Sequence, residues 1–154
     1  MLLTDILQPD CLIVPLEADD KQAAIFQLAD LLCEKTGIED PESLKEAIWK
    51  RETVRTTGIG GGVAVPHGKT DKVPGLKMAI GRTASPLEFG AIDRQPVELI
   101  ILLASPIDQT GPHIEALSRI SRMLIDEEAR NKMKSLPTPG AVYDMIKEIE
   151  TSVA

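Results

Sequence analysis

The feature that most constrains the fold is Val97–Ala104, a run in which Glu98 is the only polar residue. A strand with one face in water alternates apolar and polar side chains, whereas a strand covered on both faces does not need to. We therefore predict that this run is the central strand of a sheet that is covered on both faces.

Strand and helix patterns alternate around this run. Further strands are predicted at 11–17, Val63–Val65 and Met78–Arg82. Helical spacing predicts helices from a capping pair at Asp19 and Gln22 to Gly37, from Asp40 to near Arg51, from Gly111 through Ile125, over 126–136, and from Thr138 through Ile149. Alternation without a linker or a repeat predicts one α/β domain over residues 1–154.

Composition excludes several classes of protein. The 24 acidic and 17 basic residues give a net charge of −7, which argues against a nucleic-acid binder. No segment approaches the ~18 continuous apolar residues that span a bilayer, and the N-terminus lacks a basic region, so a cytoplasmic protein without direct membrane insertion is expected. Cys11 and Cys33 form neither a CxxC pair nor a dense framework, which predicts two reduced, buried thiols.

The segment Thr57–Thr70, TGIGGGVAVPHGKT, holds the residues best suited to chemistry. Its first glycines allow a tight loop. Val63–Val65 is predicted to be a buried strand that ends at Pro66, which lacks an N–H for the ladder. His67 is then offered at a strand end, and Gly68 leaves space for a partner. A neutral imidazole is a nucleophile near physiological pH.

Two nucleotide-binding interpretations of this segment fail on spacing. A P-loop has four residues between its first glycine and Gly-Lys-Ser/Thr, but Gly62 and Gly68 enclose five. A dinucleotide fingerprint that starts at Gly58 needs a glycine where the chain has Val63. A tight turn beside a purely structural His67 stays open on composition alone, as does phosphoryl transfer through histidine.

Several motifs resemble those of one family in order and approximate spacing, over most of the chain. They are Arg51-Glu52, TTGIGGG, VAVPHGK, AIDRQPVELIILLASP and His113. The chain is similar to the phosphotransferase system (PTS) IIA proteins of the fructose and mannitol superfamily. It looks most like the nitrogen-type IIA proteins, through TGIG, PHGK and the DQT before His113. The family usually has Gly-Asn-Gly where this chain has Gly60-Gly61-Gly62, so any hydrogen bond from that asparagine is missing or replaced.

The resemblance implies a mixed β-sheet flanked by helices and a phosphoryl group carried on Nε2 of His67. The Nδ1–H must then be held by an acceptor such as a backbone carbonyl, which the sequence does not identify. The donor implied is the histidine-containing phosphocarrier protein. No cofactor and no metal are expected, because phosphoryl transfer through histidine does not need a protein-bound metal.

Arg51 matches the family's active-site arginine, and its planar fork suits phosphate oxygens. Glu52 is expected either to orient Arg51 or to lie in solvent at the helix end. His113 is expected in the first turn of a helix, as a neutral donor to phosphate, a shaper of the pocket or only a helix cap. The expected phosphate or partner contacts are Thr57, Gly61, Gly62, Gly68 and Lys69. The hydroxyls of Thr56 and Thr57 either donate to phosphate or bond their own backbone.

The resemblance favours a regulatory IIA protein of the nitrogen type whose phosphorylation state alters its binding to target proteins. A sugar-transport IIA component, which passes phosphate to a cysteine of a IIB domain, is the alternative. A binding module of the same fold that is never phosphorylated is a third possibility.

Overall fold

Strands and helices alternate along the chain, as the sequence predicts. The structure is a computed structural model and describes residues 1–152. After a short 3-10 helix (Leu3–Asp5), its elements are β1 (Leu7–Leu16), α1 (Lys21–Thr36), α2 (Pro41–Val54), β2 (Gly58–Gly60), β3 (Val63–Ala64), β4 (His67–Lys69), β5 (Lys77–Leu87), β6 (Val97–Ser105), α3 (Thr110–Leu124), α4 (Glu127–Ser135) and α5 (Pro139–Ser152).

The strands form one six-stranded mixed sheet in the order β1-β5-β6-β3-β2, with β4 also paired to β6. β6 is antiparallel to β5 and parallel to β3 and β4. β1 is parallel to β5, and β2 is antiparallel to β3. The prediction of a mixed sheet is therefore confirmed.

β6 is the central strand, as its apolar run predicts. Every residue of β6 except Glu98 is buried, although neighbouring side chains point to opposite faces. Both faces must therefore be covered. α1 and α2 pack against each other, whereas α3 contacts α4 and the 3-10 helix, which in turn contacts α5. Cys11 and Cys33 are unpaired in the buried core, and burial raises the pKa of each thiol to about 11.

Two helix limits differ from the sequence prediction. α1 is capped by Asp20, whose side chain accepts the Ala23 N–H at 2.8 Å, and not by Asp19. The oxygen of an N-cap reaches the N–H two or three residues ahead, which Asp20 satisfies. α2 begins as predicted with Asp40 as cap, but it continues past Arg51 to Val54. Arg51 therefore lies in the last turn of α2.

The strand that begins at Val63 ends before Pro66, as predicted, but it stops at Ala64, and His67 begins a new strand instead of lying at the end of this one. β3 pairs with β6 through Val63 and Leu99, and β4 pairs through His67 and Leu103, so both keep one register. Pro66 still contributes its carbonyl, which accepts the Leu103 N–H at 3.0 Å. Pro66 has no N–H to donate to β6, so the ladder is interrupted there and resumes when His67 begins β4.

Gly68 lies where β4 passes under α2, and the space expected for a partner is filled by this helix. A Cβ on Gly68 would come within 2.9 Å of the Ile48 nitrogen and Cγ1 and within 3.0 Å of the Ala47 carbonyl carbon. Two of these atoms belong to the helix backbone, so a side chain cannot be accommodated by a rotamer change. Gly68 therefore allows the close contact between α2 and β4. No helix within residues 1–152 is long and apolar enough to cross a membrane.

We predict that Gly68→Ala lowers the free energy of unfolding by about 1–3 kcal/mol, because the added methyl overpacks the contact with α2. Gly75→Ala is the matched control, since nothing lies within 4 Å of a Cβ there, and it should change stability by less than about 1 kcal/mol. Urea unfolding followed by circular dichroism measures both. Equal stability of the two variants would show that the close contact is not limiting.

Candidate active site

The ring of His67 is held in one tautomer by a backbone carbonyl. Its Nδ1 lies 2.8 Å from the Val65 oxygen. A carbonyl can only accept, so Nδ1 must carry the proton and donate it. The neutral ring then has its lone pair on Nε2. The structure thus supplies the carbonyl acceptor that the sequence required but did not identify.

The Val65 carbonyl is available because Glu52 takes its natural partner. Val65 donates its N–H to the Thr57 carbonyl at 3.0 Å, and in an antiparallel pair the Thr57 N–H would normally donate back. Instead that N–H donates to Glu52 Oε2 at 2.7 Å. The Thr57 hydroxyl donates to Glu52 Oε1 at 2.8 Å. Glu52 is only 3% exposed, so these bonds are shielded from water.

The surroundings of His67 keep its imidazole neutral. Burial lowers the pKa of His67, and the positive charges of Arg51 and Lys69 act in the same direction. The bond to Val65 and the charge of Glu52 oppose this shift without cancelling it. A lowered pKa keeps the Nε2 lone pair present at neutral pH, as a nucleophile requires.

Arg51 and His67 line the same cleft of about 260 Å³. One guanidinium nitrogen of Arg51 donates to the Arg55 carbonyl at 2.9 Å. Within residues 1–152, Arg51 forms no salt bridge with a carboxylate, which leaves its charge available to an anion. Both expectations for Glu52 are wrong, because it is buried and bonds to Thr57. The full lining is Arg51, Arg55, Thr56, Thr57, Ile59, Val65, His67, Leu117 and Ser121.

His113 lies directly beside His67. The two ring centroids are 5.4 Å apart, with the rings tilted by 60°. α3 starts at Thr110, so His113 is in its first turn as predicted, and its own N–H already donates to the Gln109 carbonyl at 3.1 Å. Nδ1 of His113 lies 2.6 Å from the Ser105 hydroxyl oxygen. Burial, with smaller contributions from His67 and Lys69, lowers the pKa of His113 to about 4, so the ring is neutral.

The hydroxyls of Thr56 and Thr57 are both bonded within the protein: Thr56 bonds to backbone groups, as the second expectation had it, whereas Thr57 bonds to a carboxylate side chain, which neither expectation included. Thr56 donates to the Phe89 carbonyl at 2.8 Å and accepts the Gly58 N–H at 3.1 Å. The Thr57 proton goes to Glu52. Thr57 therefore borders the cleft and shapes it without offering a free hydroxyl donor.

The structure does not bring Gly61 and Gly62 to His67. Gly62 bonds to the start of β6 at Glu98 and Leu99, whereas His67 pairs with Leu103. Four residues of strand, roughly 13 Å, separate Leu99 from Leu103. Lys69, in contrast, is an exposed residue on the same short strand as His67.

The turn at Gly61 is held by groups from other segments. Its N–H donates to Asp93 at 2.9 Å, and its carbonyl accepts from Lys134 at 3.0 Å. The Arg130 side chain fills the place that a Cβ would take. The φ of +67° is a left-handed value that glycine and asparagine both tolerate. Gly61 thus stands at the family's usual asparagine position in a turn stabilised by Asp93 and Lys134.

Sequence reasoning missed Ser105, Leu117 and Ser121. Leu117 and Ser121 follow His113 at intervals of four residues, so they share its helix face, and that spacing could have identified them. Ser105 is the first hydroxyl after the apolar run of β6, but its pairing with His113 depends on where α3 returns to the sheet.

The geometry agrees with comparisons to known proteins. The family described as "Phosphoenolpyruvate-dependent sugar phosphotransferase system, EIIA 2" matches residues 5–149. A nitrogen regulatory protein of Bradyrhizobium diazoefficiens is 33% identical over 146 residues, which cover 95% of each chain. The fructose-specific EIIABC component of Bacillus subtilis is 32% identical over 148 residues, which cover 96% of this chain and 23% of that protein.

A solved structure shares the fold over nearly the whole chain. The nitrogen regulatory protein IIA-Ntr from Neisseria meningitidis superposes with a TM-score of 0.85 at 28% identity, covering 94% of this chain and 98% of that one. EIIA domains are phosphotransfer components, which is consistent with a neutral histidine in a cleft that also holds an arginine. The chain belongs to the EIIA 2 family of the phosphoenolpyruvate-dependent sugar phosphotransferase system.

Proposed function

We propose that this protein carries a phosphoryl group on Nε2 of His67 and is a regulatory IIA protein of the nitrogen type. The observation that carries the proposal is the bond from Nδ1 to the Val65 carbonyl at 2.8 Å, which leaves Nε2 as the only nucleophilic nitrogen of the ring. That nitrogen belongs to a side chain in the cleft that also holds Arg51.

In the proposed step, the lone pair of Nε2 attacks the phosphorus of a donor phosphohistidine. A new N–P bond forms as the donor's N–P bond breaks, and the electron pair of the broken bond returns to the donor imidazole. The proton on Nδ1 of His67 stays on that nitrogen throughout, in its hydrogen bond to the Val65 carbonyl. The phosphoryl oxygens need positive charge and N–H donors, which Arg51, Lys69 and His113 offer. No metal or cofactor enters this step.

The donor that fits is the histidine-containing phosphocarrier protein, in the cytoplasm. Around the cleft, exposed apolar and basic side chains give a surface on which such a partner can dock. Ile59, on the cleft wall, is 47% exposed, and Ile114, next to His113, is 61% exposed. Lys69 and Arg55 add exposed positive charge to a chain that is acidic overall.

The regulatory role is favoured by the likeness to nitrogen regulatory proteins along the full length of each chain. The alternative, a sugar-transport component that passes phosphate to a IIB cysteine, is favoured by the near-equal identity to a fructose-specific component. Affinity capture from the native cytosol with phosphorylated and unphosphorylated protein separates the two. Recovery of a IIB domain supports transport, whereas recovery of a sensor kinase or channel subunit supports regulation.

We predict that His67→Ala abolishes labelling by phosphocarrier while the circular dichroism spectrum stays that of the wild type. The nucleophile is then missing but little packing is lost, because His67 is partly exposed. The wild-type label should be lost in acid and kept in alkali, as expected for a phosphoramidate. Full labelling of a folded His67→Ala protein would contradict the proposal, and a wild type that never labels would favour a binding module.

Arg51→Lys should slow phosphoryl transfer with little change in the apparent Michaelis constant for the phosphocarrier. Lysine keeps the positive charge but loses the planar fork that matches two phosphate oxygens. Single-turnover labelling at several carrier concentrations separates the two quantities. Unchanged rates in both Arg51→Lys and Arg51→Ala would mean that Arg51 only stabilises the end of α2.

We expect His113→Ala to accept phosphate on His67 roughly ten- to over a hundredfold more slowly. The loss of one hydrogen bond to a charged group costs about 1.5–3 kcal/mol. His113→Gln retains an N–H donor and should recover part of the rate. The measurement is labelling kinetics with mass-spectrometric localisation. Phosphate found on His113 in the wild type would reverse the two roles.

A further inference from the structure

Ser105 is a buried hydroxyl that the proposed transfer step does not yet use. It is the last residue of β6 and is 0% exposed. Its Oγ lies 2.6 Å from Nδ1 of His113, which is itself only 5% exposed. A short bond between two buried groups is shielded from competition by water, so it can determine the state of the imidazole.

The backbone of Ser105 is fixed on both sides of this bond. It pairs with Lys69 in the ladder between β4 and β6. Its carbonyl accepts the Thr70 N–H at 3.0 Å. The hydroxyl therefore projects from the central strand of the sheet, next to the strand that carries His67. A group held in this way can orient a side chain on α3, which is a separate element.

The direction of the bond follows from the number of donors. Within residues 1–152, the Ser105 hydroxyl has no other hydrogen-bond partner than Nδ1 of His113. If Nδ1 donated to Ser105, the hydroxyl proton would be buried without an acceptor, at a cost that natural structures avoid. If the hydroxyl donates instead, both groups are satisfied. A neutral His113 can accept at Nδ1, because it carries one proton only.

We propose that Ser105 is a positioning residue, whose hydroxyl donates to Nδ1 of His113 and thereby keeps the His113 proton on Nε2, toward the phosphoryl group on His67. The catalytic consequence rests on the proposed function. With the proton on Nε2, His113 presents an N–H donor to an anion. With the proton on Nδ1, it would present a lone pair, which repels phosphoryl oxygens.

The two histidines meet different kinds of group at Nδ1, and the two groups have opposite effects on Nε2. His67 meets a carbonyl, which can only accept, so its Nε2 is left as a lone pair. His113 meets a hydroxyl, which can donate, so its Nε2 is left as an N–H. The two neighbouring rings thus supply one nucleophile and one donor, although both are neutral imidazoles.

The direct test is the tautomer of His113, read from its ring ¹⁵N chemical shifts in the unphosphorylated protein. The wild type should be protonated on Nε2, and Ser105→Ala should lose this preference. Labelling of His67 should fall roughly two- to tenfold in Ser105→Ala, as expected for one neutral hydrogen bond of about 0.5–1.5 kcal/mol, with the carrier's apparent Michaelis constant unchanged. Cysteine is close to serine in size and is a weak donor, so the labelling rate of Ser105→Cys should lie between those of the wild type and Ser105→Ala.

Two controls separate this role from a merely structural one. Thr83→Val removes another buried hydroxyl, which bonds to the Glu98 carbonyl on β6, and it should leave both the His113 tautomer and the labelling rate unchanged. In a His113→Ala background, Ser105→Ala should add no further loss of rate, because Ser105 acts only through His113. A further loss of similar size in that background would overturn the proposal.

The outcome for Ser105 is distinguishable from the outcome for the proposed function. A wild-type His113 protonated on Nδ1, or a Ser105→Ala protein that keeps the Nε2 tautomer, overturns the role of Ser105 even if His67 labels normally. A wild type that never labels overturns the proposed function, and the tautomer measurement still decides the direction of the Ser105 bond.

Discussion

The burial of β6 on both faces is the constraint on which the rest of the structure depends. This strand binds β5 on one side and both β3 and β4 on the other, so it sets the register of the whole sheet. His67 is placed by its pairing with Leu103, and Ser105 reaches His113 from the end of the same strand. Because His67 is paired to this strand and Ser105 is its last residue, the separation of these two residues varies little.

The tautomer of His67 depends on hydrogen bonds that the ring itself does not form. They begin at Glu52 and reach the ring through Thr57 and Val65. Glu52 takes both protons of Thr57, and the Val65 carbonyl is therefore free to accept from His67. Burial makes each bond costly to lose, so the end of α2 and the residue before β2 together determine which nitrogen of His67 keeps its lone pair.

The positive charge at this cleft comes from side chains other than His67, whose imidazole is neutral. Arg51 and Lys69 are positive, and both lower the pKa of His67 by repelling an additional proton. The same charges favour an anion in the cleft, so a neutral imidazole and a positive environment are compatible there. An acidic chain can still present this positive surface, because Arg51 and Arg55 line the cleft and Lys69 lies on the same strand as His67, while the net charge belongs to the whole molecule.

Local patterns in the sequence determined the central strand, the cap at Asp40, the α/β class and the short buried strand before His67. These depend on periodicity and on residues within a few positions. The sequence reading placed Gly61 with Gly62 in the site and left Gly68 open to a partner, but the fold puts the first two at the far end of β6 and packs the third beneath α2.

Only the tertiary structure decided which donors and acceptors meet. Glu52 and Thr57, Val65 and His67, and Ser105 and His113 are separated by two to eight residues, yet each bond forms only after the sheet fixes where the strands end. A sequence specifies which groups can donate or accept. It does not specify which of them meet, because that depends on the distance and angle between segments that come together only in the folded chain.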